Sequence, residues 1–457
     1  MGLRHFSLKV LLFLAILHMP LASALNAGPT KRLSLCGAGV IALILGVPGV
    51  ELSYRYVSAR MEPSAEVGNW KGERRLEWGK LSPRWAQEYT GEDLRERFLA
   101  KVPERRVPVG LLAGGNIELG GIPRSRVHVR LQNSVAVVPL GSGGNTEHAT
   151  LVANLIIDPQ LGFSRRGEIY FTLSTPSSIR GQTDVRLVGI SVAGLGEEQT
   201  KVMRELTEME NKIFIVPAGY GWNPRTPGDY ALGWYRGAEA QVAAARNEEL
   251  DKMPGIHVGS LQGNGRPAQT TPSGRNIDIA VPSDRRILSR LKADGPPVYF
   301  TGNSAASGGV MTGVAADILA FEPNISLEEM RTLIRRTALP LKNSVASSSY
   351  VGSGSLNAFK IFRVLEKRMF RGLAWTDQSL WDFDAESKAF LERGKVAMAS
   401  AKSMEDRLQA MDIIRASFLL NPSEEAQRLL VNFYKEQELD VNAQFYDSIL
   451  VPLSTER

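Results

Sequence analysis

Residues 107–365 alternate between short apolar runs and segments rich in small residues, and this alternation strongly constrains the fold. The apolar runs lie at residues 107–112, 135–138, 169–173, 185–192, 213–217, 255–260 and 277–281. They are apolar throughout rather than at every second residue, and helix-like segments separate them. This pattern is typical of a parallel sheet that is covered by helices on both faces. We therefore predict an α/β domain over residues 105–365.

The chain changes character over residues 366–457. After Gly394 there is no glycine, and apolar residues recur at helical spacing within 408–419. Asn421-Pro422 interrupts this helix, and a second helix is predicted at 424–437. The two helices are either a hairpin packed on the main domain or a pair loosely similar to a tetratricopeptide repeat. We predict a helical C-terminal region that is a possible docking site for a protein partner.

The first 50 residues contain two apolar runs. Residues 1–24 have basic residues before an apolar stretch and end in Ala22-Ser23-Ala24, which is the layout of a secretory signal peptide. The second run, 33–50, is near the minimum length of a membrane span and is interrupted by proline and glycine. It is either an anchor after a cleaved signal or a buried segment beside a signal-anchor. Both alternatives predict export, with the protein secreted, periplasmic or tethered to a membrane.

Residues 51–104 are polar and rich in Arg and Glu. We therefore assign residues 25–104 to one segment that contains the second apolar run and a polar extension.

Composition excludes several classes of function. The net charge of +6 is not concentrated in Lys/Arg runs, and we predict no nucleic-acid partner. The single cysteine, Cys36, excludes an internal disulfide bond, and the histidines lack a metal-binding spacing. We therefore predict no metal centre.

Two motifs place a polar side chain at the start of a small-residue helix. Residues 148–156 read HATLVANLI, and residues 302–316 read GNSAASGGVMTGVAA. A helix N-terminus presents free backbone N–H groups and a dipole that favours negative charge. Either motif alone also fits an ordinary helix start, because Gly-Asn-Ser is a common N-cap sequence. The pair, with His148 preceding Ser304, is the more informative observation.

Together these motifs resemble the histidine and serine helices of subtilisin-like serine peptidases (subtilases), whose usual forms are HGTHVAG and GTSxAxPxVxG. The order of His148 and Ser304 agrees with the family order of acid, histidine and serine. Three further segments resemble the family in the same order: GISVAG at 189–194, IFIVPAG at 213–219 and TPSGRNIDIAVP at 271–282. The resemblance implies a doubly wound, mostly parallel sheet with helices on both faces.

The resemblance also implies roles for individual residues. Ser304 is expected to be the nucleophile and His148 the general base. The substrate-binding strand of the family corresponds to Ser191, Val192, Ala193 and Gly194. The implied substrate or ligand is a peptide or protein segment, and no cofactor is implied. Calcium sites are common in the family, but none is placed by this sequence.

Two family positions lack the expected residue. The family strand VxVxDTG corresponds to residues 107–115, VPVGLLAGG, so that Ala113 stands at the position of the triad aspartate. An alternative match at 135–141 places a proline there. The oxyanion asparagine of the family corresponds to Tyr220, and Asn223 lies three residues further on.

Three carboxylates lie near these motifs in sequence: Glu118, Glu147 and Asp158. None is spaced to meet the histidine, and Glu118 is the least poor candidate. The sequence leaves open whether the chain is an enzyme. One hypothesis is an exported serine endopeptidase with impaired activity, and the alternative is an inactive pseudopeptidase that binds peptides in its groove. A membrane-tethered α/β scaffold of another kind is a third, more general hypothesis.

Overall fold

The computed structural model describes the chain between residues 81 and 450. Within that span it leaves undescribed residues 83, 99–102, 114–124, 126–145, 174–178, 181, 192–196, 219–251, 269–276, 284–286, 292–296, 301–302 and 343–350. The described residues all belong to one compact unit, Trp70–Arg457. The signal and anchor predicted in the first 50 residues, and the strand predicted at 135–138, lie outside the described residues. None of the helices that the structure describes is long and apolar enough to cross a bilayer.

A parallel sheet forms the centre of the described chain. Its strands are β1 (Val107–Ala113), β2 (Gly167–Leu173), β3 (Leu187–Ser191), β4 (Ile213–Pro217), β5 (Ile256–Leu261) and β6 (Ile279–Pro282). They lie in the order β2-β1-β3-β4-β5-β6, and every neighbouring pair is parallel. The α/β fold class is thereby confirmed. A short antiparallel hairpin of β7 (Ile287–Ser289) and β8 (Val298–Phe300) was not predicted.

Helices cover the sheet and form the C-terminal region. They are α1 (Trp85–Thr90), α2 (Arg95–Phe98), α3 (Thr146–Ile157), α4 (Glu197–Glu210), α5 (Asn303–Phe321), α6 (Leu327–Thr337), α7 (Ala358–Arg371), α8 (Asp384–Ser400), α9 (Met404–Leu420), α10 (Glu424–Glu436) and α11 (Asp440–Ser448). Short 3-10 turns lie at Glu92–Leu94 and Gln378–Leu380. A capping box begins α6, since Ser326 and Glu329 bond reciprocally there.

The two faces of the sheet bury separate sets of apolar residues. Leu111 and Ile215 face the larger core, which also contains residues of α3, α5 and the C-terminal helices. Leu112 and Val216 face a smaller core with Met203 of α4. Neighbouring residues of one strand thus enter opposite cores, because side chains alternate across a strand. This explains why the strand sequences are apolar throughout.

The strand order reverses between β1 and β3. The chain passes from β1 outward to β2, then returns to β3 on the other side of β1. Ala113 ends β1 and Ser191 ends β3, and the two residues are paired in register. Open α/β sheets bind ligands outside the carboxyl ends of their strands at such a switch point. The fold therefore favours a site beside Ala113 and Ser191.

Helix α5 packs against β3 more closely than larger residues would permit. A Cβ atom on Gly189 would lie 2.5 Å from Thr312 Oγ1, and one on Gly308 would lie 2.8 Å from the carbonyl oxygen of Ile190. Thr312 Oγ1 in turn donates to the Gly308 carbonyl oxygen at 2.7 Å. Glycine at these two positions consequently determines how near α5 lies to the sheet.

Residues 81–98 are part of the larger core. Trp85 and Tyr89 of α1 are at most 1% exposed. The Tyr89 ring stacks on Phe445 of α11 with 3.6 Å between centroids, and its hydroxyl donates to the Gly263 carbonyl oxygen at 2.7 Å. This part of the predicted polar extension therefore joins the loop after β5 to the C-terminal helices. The predicted domain boundaries themselves stay a prediction.

A buried ion cluster attaches α2 to α5. Arg95 donates to both carboxylate oxygens of Glu92 at 2.9 Å and to Asp317 Oδ2 at 2.7 Å. Its guanidinium group lies 3.7 Å from the centroid of the Phe362 ring of α7. The backbone N–H of Arg165 also donates to Asp317 Oδ2, at 2.8 Å. Each buried charge in this cluster thus has several partners, which offsets its desolvation.

We predict that Gly308→Ala destabilises the fold by about 1–3 kcal/mol, the usual cost of overpacking a core. The added methyl would meet the Ile190 backbone, which has little freedom to move. The matched control is Gly309→Ala, whose nearest neighbours are side-chain atoms 3.3 Å away. The free energy of unfolding is measured by urea titration with circular dichroism. Equal values for the two variants would contradict the close approach of α5 to β3.

We predict that Arg95→Met destabilises the fold by about 3–5 kcal/mol, because it leaves the buried carboxylates of Glu92 and Asp317 without their shared cation. The control is Arg97→Met on the same helix. Arg97 pairs with Asp412, and its side chain is 40% exposed, so its loss costs at most about 1 kcal/mol. Thermal and urea unfolding of both variants test this difference. A similar loss in both would show that the cluster does not attach α2 to α5.

Candidate active site

His148 lies at the start of α3 and faces the end of β3. Its ring is partly buried, and Nε2 lies 3.2 Å from Ser191 Oγ and 3.3 Å from the Ser191 carbonyl oxygen. Ser191 is itself 4% exposed. The structure thus brings together two residues that belong to separate motifs of the sequence. It places the histidine beside the carboxyl end of a central strand, at the switch point.

The start of α5 lies at the same edge of the sheet. A Cβ atom on Gly308 would lie against the carbonyl oxygen of Ile190, the residue before Ser191, and 3.8 Å from the Pro217 ring at the end of β4. Ser304 is the second residue of α5, one turn before Gly308. The backbone of Ser304 therefore lies beyond the carboxyl ends of β3 and β4.

Helices α3 and α5 run in the same direction. A Cβ on Gly309 would lie 3.3 Å from Val152 of α3, and one on Gly313 would lie 2.9 Å from Phe163, which follows the end of α3. His148 precedes Val152 by four residues, and Ser304 precedes Gly309 by five. At a rise of about 1.5 Å per residue, His148 and Ser304 each lie roughly 6–8 Å, measured along their own helix, before the contact between Val152 and Gly309. The two helix starts are consequently side by side.

The position expected for the acid carries no carboxylate. Ala113 ends β1 and is paired in register with Ser191. Asp158 lies at the opposite end of α3 from His148. Its Oδ2 is 2.9 Å from Arg290 Nε, and its Oδ1 accepts from the backbone N–H of Gln160 at 2.8 Å. Asp158 therefore stabilises the turn after α3 and does not orient the histidine.

Several predicted site residues lie outside the described part of the chain. These are Tyr220, Asn223, Glu118, Val192, Ala193 and Gly194. The side chains of Glu147 and Ser304 are likewise not described, although both residues belong to helices. Tyr220 comes two residues after Ala218 in the sequence, and the backbone N–H of Ala218 donates to the Val258 carbonyl oxygen at 2.9 Å just beyond β4.

Burial lowers the pKa of His148, while its hydrogen bond with the Ser191 backbone acts in the opposite direction. Burial has the larger effect because it penalises the charged imidazolium. The ring is therefore neutral at physiological pH, and a neutral imidazole has one nitrogen that carries no proton. Such a ring is suited to general-base chemistry on a neighbouring hydroxyl group.

The contact between Ser191 and His148 was not predicted from the sequence. Ser191 was predicted only as part of a substrate-binding strand. One feature of the sequence could have indicated this contact, because Ser191 stands at the end of the apolar run that forms the strand after the switch point. Among the described residues, no group of three or more His, Cys, Asp or Glu side chains could hold a metal ion.

Neither a family model nor a curated protein matches this chain. Solved structures that are similar to it include the subtilase cytotoxin SubAB, with 18% identity over 63% of this chain and 98% of that one, at a TM-score of 0.48. MycP1 from Mycobacterium smegmatis has 18% identity over 60% of this chain and 83% of that one, at 0.41. The protease domain of PatA has 17% identity over 59% and 98% of the two chains, at 0.42. Each likeness is one of general architecture.

We predict that His148 titrates below its usual pKa of about 6.5. Burial disfavours the imidazolium, so the neutral form persists to lower pH than in an exposed histidine. The measurement is an NMR titration of the ring proton on Cε1, assigned by its absence in His148→Gln. In Ala113→Asp the new carboxylate should raise the midpoint, because a nearby opposite charge favours the cation. A wild-type midpoint at or above about 6.5 would contradict the buried, neutral ring.

Proposed function

We propose that this chain is a serine-type endopeptidase of subtilisin-like architecture with slow turnover. Ser304 is the nucleophile and His148 the general base. The observation that carries the proposal is the side-by-side start of α3 and α5 at the switch point of the sheet. The lowered pKa of His148 supports it, because a neutral ring can accept the serine proton.

The proposed reaction proceeds through an acyl-enzyme. The Ser304 oxygen attacks the carbonyl carbon of a peptide bond while His148 accepts the hydroxyl proton. Free backbone N–H groups at the start of α5 stabilise the negative oxygen that develops. His148 then donates the proton to the leaving amine. The same ring then deprotonates a water molecule, whose oxygen attacks the ester carbon. The bond to Ser304 breaks, the imidazolium returns its proton to the serine oxygen, and the acid product leaves.

Slow turnover follows from the two family positions that differ. In subtilisin itself, loss of the triad aspartate lowers turnover by about 3 × 10⁴. Loss of its oxyanion asparagine lowers turnover by about 10²–10³. Ala113 and Tyr220 stand at the corresponding positions of this chain. These values were measured on subtilisin, and they set the scale of impairment that we expect here.

The proposed substrate is an extended segment of a peptide or protein. Residues 192–194 follow β3 directly in the sequence, and backbone hydrogen bonds along an extended segment bind peptide chains with little regard to their sequence. We also propose that the protein is exported through residues 1–24, with residues 33–50 as a possible membrane tether. The helical region 366–457 is then available to a protein partner.

The second candidate function is a pseudopeptidase that binds peptide segments without cleaving them. Ala113 favours it, because a residue without an acid group stands where the family places its carboxylate. Binding through backbone hydrogen bonds does not require a catalytic triad. The two functions share one groove and differ only in whether Ser304 is activated.

We predict that a fluorophosphonate probe labels the purified full-length protein slowly at Ser304. The probe reacts only with a serine whose hydroxyl is activated, so Ser304→Ala and His148→Ala should each abolish labelling. Ser307→Ala is the matched control, since this neighbouring serine of α5 is fully buried and should not affect the reaction. The site of labelling is identified by mass spectrometry of the digested protein.

In Ala113→Asp the labelling rate should rise by about 10² or more, because a carboxylate would stabilise the imidazolium that forms during attack. Absence of labelling in folded wild type and in Ala113→Asp would exclude the endopeptidase and favour the pseudopeptidase. Labelling that persists in Ser304→Ala would show that another residue is the nucleophile.

A further inference from the structure

The chain exposes a contiguous apolar segment where α7 ends. Residues 369–375 read MFRGLAW, and we call them the α7 tip. Phe370 is 62% exposed and Met369 is 42% exposed, and Ala374 is exposed as well. Isolated apolar residues are ordinary on a protein surface, whereas several exposed apolar residues side by side indicate an interaction site. The α7 tip therefore has the composition of a contact surface.

The α7 tip is an ordered turn with open space beside it. Gly372 ends α7 in the left-handed region at a φ of 62°, and its N–H donates to the Arg368 carbonyl oxygen at 2.8 Å. A Cβ atom on Gly372 would have no described atom within 4 Å. The guanidinium group of Arg368 donates to the Leu373 carbonyl oxygen and lies 4.5 Å from the centroid of the Trp375 ring. The turn is thus held in place before any ligand binds, which lowers the entropic cost of binding.

Cations accompany the apolar side chains of the α7 tip. Helix α7 carries five basic residues and one acidic residue. Arg371 lies within the tip, is exposed and has no ion-pair partner among the residues that the structure describes. The guanidinium group of Arg336, on α6, lies 4.0 Å from the centroid of the Trp381 ring, which is 6.2 Å from the centroid of the Trp375 ring. One exposed arginine thus lies within the tip, and a second lies beside its tryptophan.

The carboxylates that follow the tip are engaged within the loop itself. Asp377 accepts from the backbone N–H of Ser379 at 2.9 Å, and Asp382 accepts from that of Asp384 at 3.0 Å. These bonds stabilise the loop between α7 and α8. The charge within the α7 tip is consequently the cation of Arg371.

We propose that the α7 tip inserts reversibly into the interfacial layer of an anionic lipid bilayer. Phe370 and Met369 enter the boundary of the acyl chains, and the guanidinium group of Arg371 lies among the lipid phosphate groups. Bilayer interfaces favour this combination, because apolar side chains partition into them, tryptophan rings lie at the headgroup level and cations are attracted to anionic lipids. Nucleic-acid bases stack on aromatic rings and would gain nothing from the aliphatic Met369 and Ala374. This contact goes beyond the proposed peptidase activity and does not depend on residues 1–50.

The first test reports where the α7 tip lies rather than whether the protein binds. Full-length protein carrying Cys36→Ser and Ala374→Cys is labelled with nitrobenzoxadiazole, whose emission rises and shifts to shorter wavelength in an apolar environment. Mixed vesicles of phosphatidylglycerol and phosphatidylcholine are compared with vesicles of phosphatidylcholine alone. The matched control carries the probe at Met209→Cys on α4, where the native side chain is 74% exposed. We expect the shift at residue 374 with the anionic vesicles, and no shift at residue 209.

The second test removes single side chains of the tip in the labelled Ala374→Cys protein. Phe370→Ser should raise the lipid concentration at half-maximal shift about tenfold, because an apolar ring no longer enters the bilayer. Arg371→Gln should raise it about fivefold, the effect of one basic residue beside an anionic surface. The matched controls are Val396→Ser, which removes a 69% exposed apolar residue of α8, and Lys402→Gln, which removes an exposed cation. Both controls should keep the value of the parent protein.

Several results would overturn the proposal. Absence of a shift at residue 374 with anionic vesicles, with the fold intact by circular dichroism, would favour a protein partner as the occupant of the tip. An equal shift at residue 209 would show that the probe does not report insertion of the tip. An equal shift with neutral vesicles, or controls that act like Phe370→Ser and Arg371→Gln, would contradict the roles given to the ring and the cation. Fluorophosphonate labelling decides the proposed peptidase separately, because Ser304 takes no part in these tests.

Discussion

The close packing of α5 against β3 is the constraint on which the rest of the structure depends. Thr312 occupies the space that a side chain on Gly189 would need, and Gly308 lies against the backbone of Ile190. Because the helix is held there, its N-terminal end must lie beyond the end of β3. The contact of Gly309 with Val152 then brings the start of α3 to the same place. The candidate site is thus a consequence of helix packing, which brings the starts of α3 and α5 together beyond the end of β3.

The opposite end of α5 determines how the outer parts of the chain attach. Asp317 is fully buried, and an isolated charge there would be very costly. It accepts hydrogen bonds from Ser164 Oγ at 2.5 Å and from Arg95 at 2.7 Å. Arg95 then stacks on Phe362 of α7. Helix α5 therefore connects the site at its N-terminal end with residues 81–98 and α7 at its other end. The need to neutralise Asp317 provides a physical reason for this connection.

The sheet could be predicted from the sequence because burial on both faces leaves a local signal in each strand. The strands β7 and β8 have three residues each and are too short to show such an apolar pattern in the sequence. The burial of residues 81–98 was missed for a different reason. This segment is rich in charged residues, and its buried Arg95 is compensated by Asp317, 222 residues away in the chain. The contact between His148 and Ser191 was missed because it depends on the β1–β3 register and on helix packing together. Neither is visible in a local pattern.

A neutral histidine held by a backbone carbonyl has consequences for catalysis that differ from those of a triad. Catalysis requires interactions that are stronger in the transition state than in the ground state. A carboxylate meets this requirement, because its attraction grows as the ring becomes charged. The carbonyl and hydroxyl oxygens of Ser191 carry no net charge, so they discriminate less than a carboxylate between the neutral ring and the cation. Burial keeps the ring ready to accept a proton and also disfavours the imidazolium that results. The surroundings of His148 thus favour the neutral base and at the same time disfavour the cation that proton transfer would produce.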